Sequence, residues 1–142
     1  MTIYATLREA NIARHTEWTN NQLVELTWRG TELAGEIGEL SELLFGGADL
    51  SFARFGQALQ EEFADCWICL DLTRMTAGLR PLTVHLRYDR LLNITGPMAA
   101  AQLGIKTGRV CNTLKKLERE KRGWPGSRTD IQTLDAETNV LA

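Results

Sequence analysis

Glu36 and Glu39, and again Glu62 and Asp65, are carboxylate pairs set three residues apart inside otherwise apolar stretches. On a helix that spacing brings both members of a pair to one face. Four carboxylates gathered where two such helices pack would repel one another and take up protons, unless a hard divalent cation supplied the missing charge. Mg2+ suits the role, with Mn2+ able to stand in. It prefers oxygen ligands and shares its shell between a few carboxylates, water and substrate phosphates. The plain alternative is a solvated acidic face, the usual setting of charged side chains. Two pairs bordering apolar stripes make that alternative less apt.

The elements that must carry these groups are helices. Leu33, Ile37, Leu40 and Leu44 follow the three-four spacing of a buried stripe, as do Leu59, Phe63, Cys66 and Leu70. The first carboxylate helix is expected from a cap at Asn20 or Asn21 to about Phe45, where Gly46-Gly47 stops it, with Leu23, Leu26 and Trp28 helping to build the core or a base pocket. The second is expected from a cap at Asp49 or Ser51 to about Ala77, bent near Gly56. A helix over 3–16 precedes them, closed by Trp18. Others follow over 81–93, over 98–121 after Pro97, and after Thr129 or Asp130. Gly35 and Gly38 each cost a helix roughly 1 kcal/mol relative to Ala, so close approach of backbone or ligand is expected there. Trp18 and Trp28 can be core filler or stacking surfaces for a base. Asp71, six residues past Asp65, points off the carboxylate face and is left out of the metal shell.

Ala34-Gly-Glu36-Ile-Gly-Glu39-Leu, followed by Glu61-Glu62-Phe-Ala-Asp65-Cys-Trp, resembles the E-x-x-E and E-x-x-D signature of the MazG-like all-α nucleoside triphosphate pyrophosphohydrolases. The likeness covers roughly residues 10–95, from Glu17-Trp18 to Leu82-Thr-Val-His-Leu-Arg87-Tyr88-Asp89. It implies an all-α fold with a MazG-like four-helix bundle core over 1–95 and an additional basic helical segment over 96–142. It also implies Mg2+ held by Glu36, Glu39, Glu62 and Asp65, with Glu39, aided by Glu36, orienting or deprotonating a water. That water would attack the α-phosphorus of a nucleoside triphosphate, giving the monophosphate and pyrophosphate. Arg87 would contact phosphate, Asp89 would lie near metal or phosphate, and Trp18 belongs to the entry segment. Family members pair through their long helices, so a homodimer or homotetramer is expected.

Charge is unevenly spread along the chain. Residues 1–97 carry 8 basic and 13 acidic side chains, residues 98–128 carry 8 and 2, and residues 129–142 carry none and 3. Leu33-Ala-Gly-Glu36-Ile-Gly-Glu39-Leu aligns without a gap on Leu103-Gly-Ile-Lys106-Thr-Gly-Arg109-Val, 70 positions on, with acid replaced by base. The run from Val110 to Arg128 is similar to a segment that follows the first carboxylate pair in some phage and bacterial members, so the second half reads as a partial, degenerate copy. Lys106 and Arg109 would then be a phosphate clamp on a lost metal site, or else a solvated basic helix. Overall acidity and a single aromatic in the basic stretch argue against a dedicated nucleic-acid binder. Cys66-x-x-Cys69 sits in an apolar run with no second pair, so buried thiols are expected and not zinc or redox chemistry. His15 and His85 do not fall three residues after a Glu, which disfavours a di-iron bundle. The absence of a long apolar run and of a leader pattern suggests a soluble, cytoplasmic protein without membrane contact. A nucleotide-sequestering protein without turnover would use the same acidic pocket and basic arm.

Overall fold

The computed structural model describes residues 3–46, 50–81 and 95–141. Five helices account for most of them, α1 (Ile3–Thr19), α2 (Leu26–Gly46), α3 (Phe52–Thr76), α4 (Gly96–Lys121) and α5 (Ile131–Leu141), with no strand among the described residues. The fold is all-α. None of these helices is long and apolar enough to cross a membrane. The helix expected over 81–93, with Arg87 and Asp89, lies outside the described residues.

Helix boundaries follow local chemistry, and three differ from expectation. Asn20 and Asn21 take left-handed backbone angles, φ 50° and 61°, so they end α1 and do not begin α2. Asn tolerates that region better than most side chains, which makes it a good stop. As a result α1 runs on through Trp18, and α2 begins only at Leu26. Ser51 caps α3 by accepting from the Arg54 amide, and α3 continues unbroken past Gly56. Pro97 stands in the first turn of α4, and the Asp130 carboxylate accepts from the Thr133 amide and hydroxyl at the head of α5.

α2 is the centre of the packing, with α3 on one side and α4 on the other; α5 covers α4, and α1 lies on α3. Leu33, Ile37 and Leu40 of α2, Cys66, Cys69 and Leu70 of α3, Val110 and Leu114 of α4 and Leu134 of α5 form one buried cluster. The basic segment therefore shares the core with the acidic helices, and residue 95 marks no boundary in it. α2 and α4 run antiparallel: a Cβ on Gly30 would stand 2.5 Å from Leu114 Cδ1, and one on Gly96 would stand 2.9 Å from the Leu44 carbonyl oxygen. α4 also repeats the burial register of α2 at the 70-residue offset. Gly30, Ile37 and Leu40 are buried, as are Ala100, Thr107 and Val110; Glu36 and Lys106 are both half-buried, and Glu39 and Arg109 both exposed.

Three buried charged groups join the layers. Asp71, 3% exposed, accepts from Arg8 Nε and Nη2 (2.7 Å to Nη2) and from Asn11 Nδ2 at 2.9 Å, fixing α1 to α3. Arg29 donates to Glu32 Oε2 and meets His15 Nδ1, both at 2.7 Å, and reaches Thr76 of α3. Arg74 donates to the Arg80 carbonyl, to Thr138 and to Asp135 Oδ1, tying α3 to α5. Buried charges require such partners.

Candidate metal centre

The first two turns of the α2 stripe set the angle of everything beside it. With Leu33, Ile37 and Leu40 pinned in the core, Glu36 and Glu39 fall on the flank toward α3, and the buried Cys66 turns Glu62 toward them, whereas Phe63, expected in the buried stripe of α3, is exposed. Glu36, Glu39 and Glu62 each offer a carboxylate oxygen within 4.8 Å of the other two. Oxygens that near can share one oxygen-bound cation once the side chains draw in around it. Asp65, the fourth expected ligand, is exposed and stands outside this set. It is still near enough for its charge to act on Glu36 and Glu62.

Electrostatics mark Glu36 and Glu62. Glu36 is held above the ordinary glutamate value first by burial, then by Asp65, Glu39, Glu62 and Glu32. Glu62 is raised first by burial, then by Glu39, Asp65 and Glu61. Glu62 Oε2 is buried and meets no donor among the described residues. An unsatisfied buried polar atom costs roughly 1–3 kcal/mol, more when charged, and a bound cation would remove that cost. The residues present therefore fit a hard divalent ion. Glu32, one turn before Glu36, is excluded for a visible reason: Arg29 and Trp28 Nε1 already occupy its oxygens at 2.7 and 2.9 Å.

Ile37, Phe63, Trp67 and Leu103 help line an apolar cavity of about 60 Å³ on the residues next to these carboxylates. At about 30 Å³ per water it is too small for a nucleobase as it stands. Burial, followed by the nearby Glu36, pushes the Cys66 and Cys69 thiols up to about 12, so both stay neutral and serve as core. Asp71 is committed to Arg8 and Asn11 and takes no part.

The structure does not gather every expected substrate contact here. Trp18 is 64% exposed in the last turn of α1, beyond the His15–Arg29 contact at the start of α2. Lys106 and Arg109 make no ion pair with the carboxylates among the described residues. Leu23 is fully exposed and Trp28 is 60% exposed, so neither builds the core. Trp28 does share the outer face of α2 with Glu32, Gly35 and Glu39, which fall within about 60° of one another at 3.6 residues per turn. Gly35 and Gly38 meet no packed neighbour, so close backbone approach does not account for either. Compared with known proteins, the chain matches no family model, and no curated protein or solved structure is significantly similar to it.

Proposed function

We propose that this protein is a Mg2+-dependent nucleoside triphosphate pyrophosphohydrolase whose centre is Glu36, Glu39 and Glu62, with Asp65 beside them. The observation that carries the reading is the convergence of three carboxylates with one buried oxygen that meets no donor among the described residues. A divalent ion held there would neutralise phosphate charge and lower the pKa of water. Glu39, the exposed member, would orient an attacking water and accept its proton; Glu36 and Glu62, partly buried, would hold the cation. The bare helix surface at Gly35 leaves room for substrate beside Glu36 and Glu39. Arg87 and Asp89 remain candidates for phosphate contact from the family likeness, and pairing of two copies is proposed on the same ground.

Hydrolysis in 18O-labelled water tests the reaction type. Attack at the α-phosphorus places the label in the nucleoside monophosphate and leaves pyrophosphate unlabelled. Label in released inorganic phosphate would show attack at the γ-position and sink the reading. A second reading, a binding protein that retains nucleotide without turnover, predicts tight nucleotide binding and no labelled product.

A further inference from the structure

The turn between α4 and α5 builds a second pocket, well apart from the carboxylates. Arg119, Gly123, Trp124, Gly126, Ser127 and Arg128 line a polar cleft of about 300 Å³, with Glu120 as its one acidic member. That volume reaches the lower end of small-ligand sites. Two of its lining cations are unpaired among the described residues. Glu118 is taken up by Lys121 and Arg122, and Arg122 also reaches Glu25, whereas Arg119 and Arg128 make no ion pair among the described residues.

The turn is shaped around these groups. Gly123 and Gly126 have φ of +66° and +148°, conformations that side chains resist. The Arg119 guanidinium lies against this turn, with Nη1 3.5 Å from where a Cβ on Gly126 would stand. Trp124 is 56% exposed, with the Arg122 guanidinium 5.1 Å from its ring centre. An aromatic face beside two unpaired guanidinium groups matches a flat base joined to a phosphate chain. The Arg122–Glu25 ion pair fixes this turn just ahead of α2, and Glu36 lies eleven residues further on, about 16 Å at 1.5 Å per residue. A nucleotide in the cleft therefore is not the one at the carboxylates.

We propose that this turn is a second, metal-independent nucleotide site, with Arg119 and Arg128 on the phosphates and Trp124 against the base. The test is calorimetric titration of the full-length protein in excess chelator with inorganic tripolyphosphate and with dATP. Both are expected to bind saturably at one site. Arg119→Gln/Arg128→Gln should weaken both at least tenfold. Trp124→Leu should weaken dATP several-fold and leave tripolyphosphate unchanged, and Glu39→Gln should alter neither. Four results would overturn the proposal: no binding by the wild type at millimolar ligand, wild-type affinity in the double arginine variant, loss of binding in Glu39→Gln, or a short single-stranded oligonucleotide binding more than tenfold tighter than dATP. The last would assign the turn to a nucleic-acid strand. Because chelator silences the carboxylate centre, these outcomes stand apart from whether that centre turns over substrate.

Discussion

Glu62 brings one carboxylate oxygen to a place where no donor among the described residues reaches it, and two further glutamates close around it. In chelator that arrangement opposes folding. Glu36 and Glu62 bind protons more tightly folded than unfolded, so their effect on stability is most favourable at low pH and is lost as pH rises from the ordinary glutamate value through the raised one. Denaturant titrations in chelator from acid to neutral pH should show a smaller decline with pH for Glu36→Gln and Glu62→Gln than for the wild type. Both variants should also be more stable than the wild type at neutral pH without metal; lower stability would show that the carboxylates have partners of their own. Asp71, by contrast, has partners in place, Arg8 and Asn11. Asp71→Ala leaves the half-buried Arg8 unpaired, and a loss of about 3 kcal/mol is expected from the same titration. The carboxylate spacing was legible in the sequence. That Glu32 would be neutralised by Arg29 and Trp28, and that Asp65 would stand aside, depends on rotamers and on α3 packing that spacing does not encode.

At the scale of elements, the apolar stripes of α2 and α3 could be read directly apart from the exposed Phe63, and the caps of α3 and α5 narrowed to two residues each, of which Ser51 and Asp130 serve, since each is a local pattern. The start of α2 could not. Asn at positions 20 and 21 serves equally as a cap or as a left-handed stop, and only the docking of α1 on α3 through Asp71 decides between them. The buried arginines were equally hidden, because Arg29 and Arg74 look like ordinary surface charges until Glu32, Asp135 and Thr138 meet them. Gly30 carries the close contact between α2 and α4. Gly30→Ala should lower stability by about 1–2 kcal/mol despite the helix preference for Ala, and a double-mutant cycle with Leu114→Ala should show coupling of about 1 kcal/mol. Gly35→Ala, with open space around it, should gain up to about 1 kcal/mol in thermal unfolding and reduce turnover if substrate crosses that face.

Across the whole molecule, α4 stands against α2 in the same burial register that α2 itself uses, antiparallel and 70 residues on, with Lys106 and Arg109 in the places of Glu36 and Glu39. The gapless alignment foreshadowed this relation, but the segment is no addition to a finished bundle, because Val110, Leu114 and Leu134 complete the core. A fragment of residues 1–95 should therefore lack cooperative unfolding by circular dichroism, and a sharp melt would contradict the shared core. The central claim is that the three glutamates work as one cation-dependent centre. Pyrophosphate release from a panel of nucleoside and deoxynucleoside triphosphates tests it most directly, run with and without Mg2+ beside Glu39→Gln, Glu62→Gln and Asp65→Asn. The account predicts metal-dependent release by the wild type that falls on the order of a hundred-fold in Glu39→Gln and Glu62→Gln, with a smaller loss in Asp65→Asn. Release that persists in Glu62→Gln, or that needs no divalent ion, would contradict it.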